Sequence, residues 1–213
     1  MLNRQSNTTF KERRRQKILE SAFQIFARKG FEWTTMQDVA DEAGLGVATV
    51  FRYFPKKNKL IISVMIYIIE SSLPSFQQIL NSSGTGYEKF EELLNRFIHL
   101  SDPNTVNNMK LLEAFETYMA FVQEPLEDID DYHAAYASVS KVIGEIIKQG
   151  KQDGSIRQDI EIEEVMGSIA NAFGIYTRKL SFFESINMGG VKVVPSEQAE
   201  IMKNVFLEYL QSK

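Results

Sequence analysis

Cysteine is absent from these 213 residues, which excludes disulfides, thiolate metal sites and a cysteine nucleophile. Histidine is nearly absent. The two present, His99 and His133, form no pair at helical spacing, so a zinc centre would need carboxylates to complete it. The stretch Gly84-Thr85-Gly86 is too short for a phosphate-cradling loop and has no lysine directly after it. No nucleophile motif is visible. These absences argue against an enzyme and predict neither a metal site nor a cofactor. Long apolar runs are missing too: Ile61–Ile69 is broken by Ser63 and falls far short of the ~20 residues a bilayer requires. The first 17 residues are polar and basic, without the apolar centre of a secretory signal. A cysteine-free chain of this kind suits a reducing cytoplasm, the expected location. Strand-like alternation is scarce, with only Val191–Val194 leaning that way, and no internal repeat is found.

What is present is helical spacing. Hydrophobic residues make up 44% and charged residues 24%, an ordinary balance that lets a chain of this length bury one or two cores. Ile18, Leu19, Ala22, Phe23 and Phe26 share one face of a helix over about Lys11–Lys29, closed by Gly30. A short helix over Thr35–Ala43 buries Met36, Val39, Ala40 and Ala43. Another over Val47–Phe54 buries Val50, Phe51 and Phe54, and Pro55 stops it. Phe31 and Trp33 read as core or staple residues. A fourth helix starts near Lys56–Lys59, and Pro74 either kinks it or follows its end near Ser71–Ser72. Further helices are expected over Tyr87–Leu100, Asn104–Gln123, Leu126–Lys151, Ile160–Ile186 and Ser196–Leu210. The fold class is therefore all-α, with about nine helices. The arm Met1–Arg15 is expected to be partly disordered.

The net charge of −4 hides an asymmetry. Residues 1–60 hold 12 Lys and Arg against 6 Asp and Glu, whereas residues 61–213 hold 12 against 22. A basic head on an acidic body suits a polyanionic partner met by the head alone.

The strongest motif runs from Thr34 to Phe54. Ala40 is small where two helices cross, Gly44 permits a left-handed turn, and Leu45 plugs that turn. The short helix after it fits a major groove, with its N-terminal residues nearest the base edges. Within this stretch Thr34 and Gln37 have capping-box spacing, so Gln37 serves either the helix or DNA. Arg52, on the exposed side, can read guanine or hold phosphate. Arg13, Arg14 and Arg15 are either an ordinary solvated helix start or a grip on the DNA backbone.

The order Ile18-Leu19, Ala22, Phe26, Gly30-Phe31, Thr34-Thr35, Val39-Ala40, Ala43-Gly44 resembles the first two helices of the tetracycline-repressor (TetR) family. Val47-Ala48-Thr49-Val50-Phe51-Arg52-Tyr53-Phe54, with Lys57 and Leu60, resembles its recognition helix and the start of its fourth helix. The resemblance covers residues 11–65 in detail. It implies a DNA-binding domain over 11–72 (structural core 11–56) and a ligand-binding, dimerising body over 73–213. By the same resemblance Thr35 meets a phosphate or caps helix two, and Gln37 sits where some members touch DNA. Val47 and Ala48 face bases, Thr49 and Tyr53 donate hydroxyls to phosphate, and Lys57 matches a helix-four lysine. Two departures stand out. Gly46 replaces a frequent Ser, and Phe51 replaces a frequent Tyr, removing one expected phosphate contact. Lys56 and the arginines can compensate. With side chains this apolar, base reading rests on thymine methyls, Arg52 and Gln37.

The implied partners are double-stranded DNA, a second copy of the chain and a small apolar or aromatic effector such as a fatty acyl chain or hydrophobic cation. The homodimer is expected to use Ile169, Phe173, Tyr176 and Leu180 with Met202, Val205, Phe206 and Tyr209, since the last two helices carry too much apolar surface for one face. Asn95, His99, Glu113, Phe115, Tyr118, Met119 and Tyr136 are candidates for lining an effector cavity. The expected function is a ligand-released repressor on a palindromic operator. The alternative is a DNA-binding adaptor whose body binds a protein.

Overall fold

In the computed structural model, residues 2–98, 103–122, 126–169 and 194–212 are described. Every extended element among them is a helix: α1 (Leu2–Trp33), α2 (Met36–Ala43), α3 (Val47–Tyr53), α4 (Lys57–Leu80), α5 (Gly86–Ile98), α6 (Pro103–Phe121), α7 (Ile129–Asp153), α8 (Ile162–Ser168) and α9 (Pro195–Leu210). The all-α fold class stands.

α1 begins at Leu2, well before Lys11. The expected arm has no Pro or Gly, so nothing in it breaks a solvated helix even though it lacks an apolar face. α1 is interrupted at Gly30, whose φ of 78° and ψ of 168° are not helical. The break turns Phe31 into the core and leaves Trp33 80% exposed, contrary to its expected core or staple role. α4 passes straight through Pro74 instead of ending near Ser71–Ser72. The missing proline N–H leaves the Glu70 carbonyl without its helical donor, and Glu70 is exposed. Ser75 Oγ donates to the Ser72 carbonyl at 2.8 Å on the following turn.

The chain divides into two compact units, Met1–Glu70 with Lys110–Ala135 and Ser71–Met109 with Tyr136–Lys213. Residues 110–135 belong to the same unit as residues 1–70. α4, α6 and α7 each supply residues to both units.

In the first unit Ile18, Leu19, Ala22, Phe23 and Phe26 of α1 are buried with Val39, Ala40, Val50 and Leu60–Ile62. α6 adds Leu111 and Phe115 to this core. The Phe26 and Phe31 rings meet edge-on at 5.1 Å, and Phe31 lies 6.0 Å from the Tyr118 ring. By length and composition α4 could cross a membrane, which the sequence had not suggested. Its Leu60, Ile61, Ile62, Val64 and Met65 are instead fully buried in this core.

In the second unit Phe76, Ile79, Phe90, Leu93, Leu94, Ile146, Ile147, Leu207 and Leu210 form the core. α5 starts with a capping box: Thr85 N–H donates to Glu88 Oε2 at 2.8 Å, and Glu88 N–H donates to Thr85 Oγ1 at 3.2 Å. Gly86 then approaches α7 so closely that a Cβ there would lie 2.1 Å from the Gly150 nitrogen. The contact brings Asp153 Oδ2 within 2.7 Å of Gly86 N–H, satisfying another donor at the helix start.

Candidate nucleic-acid interface

α2 and α3 are positioned by caps and a turn. Thr35 is the N-cap of α2. Its Oγ1 accepts from Asp38 N–H at 3.1 Å and donates to Asp38 Oδ2 at 2.8 Å, while its own N–H donates to the same carboxylate oxygen at 2.8 Å. The capping box is thus Thr35–Asp38 and not Thr34–Gln37. Thr34 is buried, and its hydroxyl donates to the Gly30 carbonyl at 2.7 Å. The shift frees Gln37, which is exposed and donates to Asp41 Oδ1 at 2.7 Å. Of its two expected roles Thr35 shows the capping one here, its hydroxyl proton given to Asp38. Lys29 Nζ lies 2.6 Å from Asp38 Oδ1. That bond first, then the two from Thr35, holds the Asp38 carboxyl well below the usual carboxylate range.

Gly44 ends α2 at φ 61° and ψ 40°, a left-handed turn that any Cβ would strain. Its N–H and that of Leu45 return to the Asp41 and Ala40 carbonyls at 3.1 and 2.9 Å. Gly46 caps α3 with extended geometry and no side-chain bond. α3 is seven residues long and ends with Phe54 as its C-cap.

With α3 anchored by Val50, which is fully buried, successive side chains rotate by about 100° per residue. Ala48 and Arg52 therefore point away from the core, and both are exposed. Thr49 and Tyr53 lie on one flank, each half-buried. Val47 and Phe51 lie on the other. Phe51 is 45% exposed, against the expectation that it is core: at seven residues the helix has room for one buried face, and Val50 with Phe54 occupies it. The Arg52 guanidinium sits 5.8 Å from the Tyr53 ring centre.

Several of the remaining cations are held in place by the protein. Arg13 is exposed. Arg14 stacks over Phe10 at 4.6 Å and Arg15 over Phe54 at 5.5 Å, so the triplet belongs to a packed helix and not to a free arm. Lys57 Nζ donates to the Glu32 carbonyl at 3.2 Å, closing the C-terminal end of α1, and burial pushes its ammonium below its usual value. Lys56 pairs with Glu127 at 2.5 Å, and Lys59 bridges Glu127 at 3.0 Å and Asp128 at 3.3 Å. Sequence spacing could not find these last pairs, because Glu127 lies 71 residues from Lys56.

The candidate effector residues divide between the units. Glu113, Phe115, Tyr118 and Met119 belong to the first, Asn95 and Tyr136 to the second. Phe115 is buried against Tyr132 at 5.0 Å. Tyr118 donates its hydroxyl to Asn58 Oδ1 at 2.6 Å. Glu113 Oε2 is buried without a hydrogen-bond partner. Asn95 Oδ1 accepts from Lys203 Nζ at 2.9 Å, and Tyr136 is exposed. His99 lies outside the described residues.

Of the candidate dimer residues, Phe173, Tyr176 and Leu180 also lie outside them, and Ile169 is buried in its own unit. Val205 and Tyr209 are exposed on α9 together with Ile201, one turn apart each, while Met202 and Phe206 are partly buried against the core.

Comparison with known proteins places this geometry in context. Residues 18–64 match the family model described as bacterial regulatory proteins, tetR family. The HTH-type transcriptional repressor KstR2 of Mycolicibacterium smegmatis is 22% identical over 171 residues, covering 78% of each chain. A putative transcriptional regulator from Saccharomonospora viridis in complex with choline shares the fold at a TM-score of 0.72 and 18% identity, covering 93% of this chain and 97% of its own. The transcriptional regulator FadR of Bacillus subtilis in complex with stearoyl-CoA does so at 0.70 and 15%, covering 92% and 99%. The matched family and relatives are transcriptional regulators and not enzymes.

Proposed function

We propose that this chain, whose residues 18–64 match the tetR-family model, is a DNA-binding transcriptional repressor that holds a palindromic operator as a homodimer and is released by a small effector. The observation that carries this reading is α3 itself. It is a short capped helix on a basic head, with Ala48 and Arg52 outward and the hydroxyls of Thr49 and Tyr53 along one flank. Thr49 and Tyr53 grip phosphates, Arg52 and Gln37 reach base edges, and Arg13 and Arg14 add charge to the backbone contact.

Two heads about one DNA turn apart, ~34–36 Å, require a pairing surface in the body. The exposed stripe Ile201, Val205 and Tyr209 on α9 supports that role, with Met202 and Phe206 beside it. An effector acts through the body and must reach the head. α4, α6 and α7 offer the route because each supplies residues to both units, and Tyr118 ties α6 to Asn58 of α4. Stearoyl-CoA, held by one protein of the same fold, supports an effector with an apolar chain, and choline, held by another, supports a small organic cation. The work of such a protein is cytoplasmic, where the DNA lies.

The test is selection of duplexes from a random-sequence pool by the purified chain. The expected outcome is a two-fold symmetric sequence bound by two chains, with binding lost on adding a compound that raises the melting temperature in a screen including choline and stearoyl-CoA. Enrichment of no sequence, or one chain on an asymmetric sequence, contradicts it.

A further inference from the structure

The two flanks of α3 differ in chemistry. Thr49 and Tyr53 give one flank hydroxyls, whereas the other carries Val47 and Phe51 and no hydrogen-bonding side chain at all. Phe51 is 45% exposed and Ala48 beside it is exposed, so an apolar strip runs along the helix to its outward edge. A single exposed aromatic is ordinary on a protein surface. This one lies on the helix assigned to the major groove, a setting rich in hydrogen-bonding groups where an apolar side chain finds one apolar partner, the C5-methyl of thymine.

We propose that Phe51, supported by Val47, is a specificity-determining residue that recognises thymine through its methyl group. This inference rests on the DNA-binding reading above and assigns part of its base recognition. The apolar flank reads thymine, while the hydroxyl flank holds phosphate without regard to sequence. Phe51 makes no hydrogen bond to the base, so the recognition comes from methyl burial alone. Replacing thymine by deoxyuridine, which keeps every hydrogen-bonding group and deletes only the methyl, isolates it.

The test uses duplexes selected by the whole chain from a random pool, each thymine then replaced in turn by deoxyuridine. The wild-type chain is expected to lose about four-fold in affinity for each contacted methyl removed. Phe51→Ala is expected to bind the same duplexes more weakly and to bind the thymine and deoxyuridine forms equally. Its unchanged thermal unfolding, expected because the ring is not core, separates lost contact from lost fold. Wild-type indifference to deoxyuridine at every position overturns the proposal. So does a Phe51→Ala chain that remains as sensitive as wild type, which would assign the methyl contact elsewhere. Enrichment of no duplex overturns the DNA-binding reading as well, whereas enrichment with deoxyuridine indifference overturns the thymine reading alone.

Discussion

The first and second units use the same local devices for different ends. Each opens a helix with a threonine capping box, Thr35–Asp38 on α2 and Thr85–Glu88 on α5. Their cations differ. In the second unit Lys89 is buried, with Nζ donating to the Leu80 carbonyl at 3.0 Å and Gln149 Oε1 at 2.9 Å. Lys203 is also buried and donates to Asn95 and Glu200. These charges are consumed inside the fold, as burial demands. In the first unit Arg13 and Arg52 stay at the surface, and Lys56 is paired at an exposed site. A positive charge there remains available to a polyanion. What matters is which cations the fold leaves unspent.

The comparison can be broken most forcefully through the second unit. Ile201→Glu with Val205→Glu places charge on the exposed α9 stripe. The variant is expected to sediment as a monomer and to lose at least about a hundred-fold in operator affinity, since two linked heads gain that much over one. Undiminished dimerisation would move the pairing surface off this stripe.

A smaller effect sharpens the first unit. Thr35→Ala removes the α2 cap and is expected to cost about 1 kcal/mol of stability, visible as a lower melting temperature. The same cap predicts a pH dependence. Asp38 has a folded-state pKa below its unfolded one because Lys29 and Thr35 donate to its ionised form. Its stabilisation is complete above the ordinary carboxylate range and is lost as pH falls through the folded value. The melting-temperature deficit of Asp38→Asn should accordingly be largest near neutrality and shrink in acid. A deficit that is constant with pH would contradict the ionic role.

The smallest effect concerns Lys56. Glu127→Ala removes its partner and should raise affinity for any duplex slightly at low salt, with no gain at high salt, as expected of an exposed pair. A loss of affinity would mean that Glu127 orders the head instead of competing for its cation.

Much of the head was legible because local rules and tertiary packing agree there. Ile18, Leu19, Ala22, Phe23 and Phe26 follow helical spacing and are buried, and Gly44 has the left-handed turn its position suggests. The errors fall where two residues competed for one role. Thr35 took the cap that Thr34 also fitted, and Val50 with Phe54 filled the single inward face, leaving Phe51 outside. Gly30 was read as a helix end, but the direction in which it turns the chain, and hence the exposure of Trp33, needs its dihedral angles. The helices of the body were visible as periodic segments, since burial of an amphipathic face leaves that mark. Its specific contacts were not. Lys203 with Asn95 spans 108 residues and Lys56 with Glu127 spans 71, distances over which no local pattern operates.

The most direct measurement is the affinity of wild type and of Thr49→Ala with Tyr53→Phe for a selected operator and for a scrambled duplex of equal length. A hydrogen bond to a charged group is worth about 1.5–3 kcal/mol, so the double variant should lose about a hundred-fold or more, and by the same factor on both duplexes. Undiminished binding, or a loss confined to the operator, would contradict a recognition helix that grips phosphate along its hydroxyl flank.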